Sequence, residues 1–202
     1  MQADLPAVSC AVEGIVDEAV VRKLVTGAGL APGPVHGRNG KQYLLQRMRG
    51  YNNAARFGPW LVLVDLDADF DCPPPALCQW LPDPAPGMLF RVAVRSVEAW
   101  LLGDREQCAR FLGVATQLVP RDPEQLLDPK AELVGLASSS RKRAIREDIV
   151  PREGSGRTEG ELYVARMLEY IRDYWRPSVA AEVAGSLRRC IAKLQILTRE
   201  GR

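Results

Sequence analysis

The sequence predicts an α/β fold: a mostly parallel four-stranded sheet flanked by helices, followed by a C-terminal helical extension. Three observations predict it. Short apolar runs alternate with segments of helical periodicity over residues 8–112. The clearest run, Trp60–Val64, is apolar throughout, as suits a strand buried on both faces. Beyond about residue 115 helical patterns continue without a strand.

Each element has its own warrant. Val8–Val12 is a short apolar strand. Gly14 follows, and Val16, Ala19, Val20 and Leu24 then share one face of a helix over 17–26, stopped by Gly27 and Gly29. Ala31–Val35 is a second strand, weakened by two prolines. A turn-rich loop leads to a helix over Lys41–Met48, expected to resume after Gly50 towards Phe57. Trp60–Val64 is the third strand, Pro73–Pro75 open a helix reaching Leu81, and Met88–Val94 is the fourth strand. Ser96 and Asp104 are placed to cap helices ending at Leu102 and Leu112. Asp122–Ala137 reads as short helices and Ser138–Gly156 as a polar, basic loop. Gly160–Tyr174 and Ser186–Thr198 read as helices separated by Pro177. The expected organisation is a core over 1–115 and a helical extension over 116–202 packed on it.

Composition narrows the function classes. With 202 residues, 47% hydrophobic and 26% charged, the chain can bury a substantial core, which excludes wholesale disorder. A net charge of +2 neither favours nor opposes a polyanionic partner, although 22 of the 27 basic residues are arginine. The one histidine, His36, excludes multi-histidine metal sites. Five scattered cysteines without a CxxC pair argue against zinc and for buried thiols in a reducing compartment. Asp4 and Pro6 interrupt any leader pattern, and no apolar run approaches the ~18 residues of a membrane span. The expectation is a cytoplasmic protein with no membrane partner.

The acidic residues carry the chemistry. Asp65, Asp67, Asp69 and Asp71 alternate directly past the carboxyl end of the Trp60–Val64 strand, the edge where open parallel sheets bind ligands. While the chain stays extended, Asp65 and Asp67 point to one side. A divalent cation relieves their repulsion, and an all-oxygen donor set selects Mg²⁺ or Mn²⁺. The ordinary alternative is a solvated acidic loop. Glu13 ends the first strand, in Glu13-Gly14-Ile15-Val16-Asp17. If the first and third strands are neighbours, it converges with Asp65 and Asp67. A helix-entry carboxylate favoured by the macrodipole explains Glu13 equally well.

A strand ending in Glu-Gly-x-x-Asp followed by a later strand ending in Asp-x-Asp resembles the Toprim domain of topoisomerases, bacterial primases and small nucleases. Val8–Leu112 is similar to a Toprim core, a Rossmann-like fold. The whole chain also resembles bacterial Toprim-like proteins of unassigned activity, some encoded beside ATPases in phage defence, through Val97-Glu98-Ala99-Trp100 and Asp128-Pro129-Lys130. The resemblance implies a nuclease hydrolysing phosphodiesters of DNA or RNA with Mg²⁺ or Mn²⁺. Glu13, Asp65 and Asp67 would be catalytic and metal-binding. Asp69 and Glu98 would be further metal ligands, and Lys41, Lys130, Arg141 and Arg143 would contact substrate. Arg38 beside His36 is a further phosphate contact on this reading, and Trp175 and Tyr174 are candidates for base stacking. An ATPase is a candidate partner, and a homo-oligomer is left open.

Two other readings stand beside this one. A haloacid-dehalogenase-like phosphatase would use Asp65 as nucleophile and Asp67 as acid/base, with Glu13 dispensable. A non-catalytic binding module would use the acidic crevice only to dock a partner. A calcium loop starting at Asp65 fails, because Phe70 and Ala76 stand where glycine and glutamate are required.

Overall fold

A computed structural model describes residues 7–200, so Asp4 and Pro6 lie outside the described residues. The chain divides into two compact units, residues 1–94 with 188–202, and residues 95–187. The boundary expected at 115 falls inside the second unit. The C-terminal residues from 188 belong with the sheet rather than with the extension.

The first unit is an α/β layer built on four strands: β1 (Ala7–Val12), β2 (Ala31–Gly37), β3 (Trp60–Asp65) and β4 (Met88–Ala93). All are parallel, in the order β2-β1-β3-β4. The prolines of β2 are tolerated because β2 is an edge strand whose register with β1 shifts between Val8 and Cys10, the stretch opposite Gly33 and Pro34. Helix α1 (Ile15–Gly27) joins β1 to β2. Helices α2 (Lys41–Gln46) and α3 (Met48–Ala54) join β2 to β3, and α4 (Pro73–Trp80) joins β3 to β4.

Alternation along the strands sorts the two faces. Ala11, Val62, Val64, Phe90 and Val92 pack with Leu44, Met48, Tyr51 and Ala76 from α2, α3 and α4. Helix α1 is absent from that cluster yet packs on β1, β2 and β3, so it covers the opposite face with Val20, Val21, Leu24 and Val25. Connections leave β1 first towards β2 and then back across to β3. The strand order therefore reverses between β1 and β3, and the region outside their carboxyl ends is where an open parallel sheet places its ligand crevice.

The helix expected to break at Gly50 breaks at Arg47 instead, with Gly50 inside α3. Met48 and Tyr51 are buried three positions apart, and keeping both on the core outweighs the modest helix penalty of one glycine.

The second unit is helical. It holds α5 (Val97–Leu102), α6 (Arg105–Leu112), two 3-10 turns (Thr116–Leu118 and Pro123–Gln125) and α7 (Pro129–Ser138). It continues with α8 (Arg143–Ile149), α9 (Tyr163–Asp173) and α10 (Pro177–Val183). Helix α11 (Gly185–Glu200) begins in this unit and runs on into the residues of the first. Every residue of α5 is buried. Trp100 donates to Ser186 Oγ at 2.7 Å, and Trp175 donates to the Trp100 carbonyl at 3.1 Å. Asp104, fully buried, accepts from the Arg176 backbone N–H and from its guanidinium at 2.7 and 2.9 Å.

Two expectations are corrected in this unit. Helix α8 lies inside the segment read as loop. Only Ile145 and Ile149 of its seven residues are buried, so the apolar signal is one i,i+4 pair among charges. Pro177 opens α10 rather than merely separating helices, since the first helical position needs no backbone N–H.

The loop after β2 is held to the end of β1. Arg38 N–H donates to the Val12 carbonyl and Gly40 N–H to the Glu13 carbonyl, both at 2.9 Å. Gly37 has φ +91°, and a Cβ there would fall 2.2 Å from the Val12 oxygen. Gly37→Ala should cost at least ~1–3 kcal/mol from the backbone conformation alone and loosen this loop. Urea unfolding and amide exchange at Arg38 and Gly40 check this; an unchanged midpoint with unchanged protection would contradict it.

Candidate functional site

The site is assembled at the β1/β3 switch point. Leu66 explains the spacing of the first two aspartates. Its side chain is buried with 1% exposure, and its N–H donates to the Ala93 carbonyl at 2.9 Å. Anchoring Leu66 inward leaves its neighbours Asp65 and Asp67 outside the core. The chain does not stay extended beyond it, so the condition under which Asp65 and Asp67 share one side is not met. Asp67 has φ +50°, and Asp69 N–H closes a turn onto the Leu66 carbonyl at 3.2 Å. An aspartate tolerates this left-handed conformation better than most residues do.

Glu13 and Asp65 meet across the two strand ends. Glu13 Oε1 accepts the Asp65 backbone N–H at 2.8 Å. Burial pushes the Glu13 carboxyl up from 4.5 to about 7, with Asp17 and Asp67 pushing the same way and the Asp65 N–H and Lys41 opposing them. The following Gly14 and Asp17 have a local reason. Gly14 is the N-cap of α1 and Asp17 its third helical residue, and a Cβ at 14 would fall 2.9 Å from Asp17 Oδ2. A carboxylate in that first turn also favours the helix N-terminus. The last positions of the Glu-Gly-x-x-Asp pattern thus stand at the helix entry, from which Asp17 still acts on the Glu13 carboxyl by its charge.

Lys41 completes the cluster. It is the first residue of α2, placed by the anchored loop. Its Nζ lies 2.5 Å from Asp67 Oδ2 and 2.7 Å from Asp69 Oδ2, with only 18% of the side chain exposed. Burial pulls its ammonium down, and the hydrogen bonds to Asp67 and Asp69 more than reverse this, leaving it raised. Lys41 therefore acts here as the counter-charge of two aspartates. Arg38, by contrast, pairs with Glu18 at 3.1 Å, and His36 stacks on Trp60 with ring centroids 5.3 Å apart.

Glu13, Asp65, Asp67, Asp69 and Lys41 come together in the first unit. The other expected residues lie in the second. Glu98, buried on α5, accepts the Tyr163 hydroxyl at 3.0 Å. Lys130 pairs with Glu159 at 3.0 Å and sits 5.0 Å over the Tyr163 ring, so Tyr163 joins the Glu-Ala-Trp and Asp-Pro-Lys segments. Arg143 pairs along α8 with Glu147 at 2.7 Å, and Arg141 is exposed. Trp175 is buried away from any base, whereas Tyr174 is half-buried. Trp175 is 1% exposed, and Tyr174 packs against Phe111 with ring centroids 5.2 Å apart.

The donor chemistry of the crevice suits a hard cation, but the arrangement does not. Lys41 sits between Asp67 and Asp69 and offsets one of their two charges, Glu13 Oε1 accepts an N–H, and among the described residues no group of three acidic, histidine or cysteine side chains converges to hold a metal. As placed, the residues do not fit a three-carboxylate cation site. Sequence reasoning found Lys41 but not its role. It missed Trp80, whose ring lies 5.7 Å from Lys41 Nζ and edge-on to Phe70 at 5.4 Å. The lone signal for Trp80 was its position at the end of a proline-initiated helix.

No family model, no curated protein and no solved structure matches the chain. The Toprim resemblance therefore stands on the residues quoted for it. Among the described residues, no helix is long and apolar enough to cross a membrane.

Two predictions follow from this geometry. A carboxyl whose pKa is higher folded than unfolded binds its proton more tightly in the folded state. Its contribution is present below pH 4.5 and lost as the pH rises through about 7. The parent should therefore lose up to ~3 kcal/mol of stability over that window, and Glu13→Gln, which keeps the acceptor for Asp65 N–H, should lose less. Urea unfolding at a series of pH values reads the difference; parallel curves would contradict it. In calorimetric titrations, Mn²⁺ should bind Lys41→Ala more tightly than the parent, because the variant leaves Asp67 and Asp69 uncompensated. Equal binding would mean that Lys41 does not hold the pair.

Proposed function

We propose that the crevice between the ends of β1 and β3 hydrolyses phosphodiester bonds of nucleic acid, with Glu13 as the proton-transfer group. One observation carries this reading: a carboxyl group at the switch point of a parallel sheet, raised to about 7 and so able to give and take a proton near neutrality. As carboxylate, Glu13 takes a proton from a water attacking phosphorus. The bond from phosphorus to the leaving ribose oxygen breaks, and that oxygen is protonated by the acid form. Lys41 is held beside Glu13 by Asp67 and Asp69, which engage two of its three N–H donors, and the third donates to a non-bridging oxygen. Because the carboxylates as placed do not make a cation site, neither proton transfer is assigned to a metal. Dependence on Mg²⁺ or Mn²⁺ is read from the assay. A role as effector beside an ATPase in phage defence rests on the second resemblance alone.

The assay offers single-stranded and duplex DNA and RNA in Mg²⁺, in Mn²⁺ and in EDTA. The parent should cut, with a rate rising through pH 7 as Glu13 ionises. Glu13→Gln should cut at least ~100-fold more slowly, and Asp67→Ala, which removes one of the two anchors that position Lys41, should be strongly impaired. Unimpaired Glu13→Gln with inactive Asp65→Asn would move the reading to an aspartyl phosphatase. Binding by the parent without cutting under any condition would make it a binding module.

A further inference from the structure

Beside the crevice, a groove of about 470 Å³ runs between α3 and the end of α4. Its floor is pinned. Asn52 on α3 donates to the Asp83 carbonyl at 2.9 Å and accepts the Ala85 N–H at 2.8 Å, tying the helix to the segment after α4. Its walls carry Arg49 and Arg56, both exposed and neither in an ion pair with another described residue, against one acidic residue, Asp83. Trp80 closes the end nearest Lys41. Phe70 and Phe90 meet the Trp80 ring edge-on and hold it, with centroids 5.4 and 6.5 Å away, while the ring stays partly open to solvent. Phe57, directly after Arg56, is 93% exposed.

The lining asks for a ligand with two features at once: negative charges spaced along a chain, for two guanidinium groups outside any ion pair, and flat rings, for a rigid indole partly open to solvent. Nucleic acid has both. In a duplex the base faces are already stacked on one another, so Trp80 can reach them only in a single strand. An acidic peptide would meet the arginines but gives the indole nothing to stack on.

We infer that this groove binds single-stranded nucleic acid leading to the Glu13 crevice, with Arg49 and Arg56 on consecutive phosphates and Trp80 stacked on a base. The inference rests on the reading of that crevice as a phosphodiesterase site. Trp80 is the link, since it lines the groove and its ring lies 5.7 Å from Lys41 Nζ.

The test is fluorescence anisotropy with labelled ten-nucleotide oligo(dT) and oligo(U) and a duplex of equal length, in EDTA so that binding is read without cutting. The parent should prefer the single strands. Arg49→Ala/Arg56→Ala should bind more weakly and lower the slope of log K against log salt by about 1.4, from roughly 0.7 per phosphate. Trp80→Ala should weaken binding about tenfold and Trp80→Phe much less, because the phenyl ring still stacks. Arg172→Ala, on the exposed face of α9, is the surface control and should match the parent. Circular dichroism checks that each variant is folded. Equal affinity for the duplex, no binding by the parent, or an unchanged salt slope in the double variant would overturn the inference. Displacement by poly-glutamate as effective as by oligonucleotide would overturn it in favour of an acidic peptide. If the binding pattern holds while Glu13→Gln cuts as fast as the parent, the phosphodiesterase reading falls and the groove stands.

Discussion

A carboxyl group caught between two parallel strand ends is the constraint on which the first unit's chemistry depends. The pairing of β1 with β3 brings Glu13 to the Asp65 N–H, and the surrounding burial makes ionisation of Glu13 costly. One hydrogen bond and one nearby ammonium offset only part of that cost. What remains is a group that changes charge near neutrality, in the place where a parallel sheet opens to ligands.

The surrounding sequence maintains that situation. Gly37 lets β2 turn close against Val12, and the two backbone bonds that follow bring Lys41 to the head of α2. Leu66 anchors the far side by burying itself between two aspartates. Asp67 and Asp69 then bind the Lys41 ammonium at short distance. One ammonium offsets part of the carboxylate charge in the crevice, and it stands beside the titrating carboxyl. Trp80, packed on the same lysine, extends this arrangement into a groove with its own arginines.

Much of this was legible in the sequence because it follows from hydrophobic pattern. Four apolar runs became four strands, and the alternation with helices required a parallel sheet. The convergence of Glu13 with Asp65 was legible too, given neighbouring strands. What escaped depends on contacts between distant residues. The turn at Asp67 follows from Leu66 being a core residue, which its place in an acidic run conceals. The pairing of Lys41 with Asp67 and Asp69 spans 26 and 28 residues and leaves no local mark. Helix α8 hides its two buried isoleucines among charges. Glycine and aspartate in Glu-Gly-x-x-Asp looked like chemistry, and they also stand at the N-terminus of α1, Gly14 as N-cap and Asp17 as an acidic residue of the first turn.

The central claim is that Glu13 titrates near neutrality in the free protein, and the most direct measurement is a carbon-detected NMR titration of its side-chain carboxyl. The account predicts a midpoint near 7, moving upward in Lys41→Met as the lowering charge is removed. A midpoint at the ordinary 4.5 in the parent would contradict it, and with it the assignment of Glu13 as the proton-transfer group.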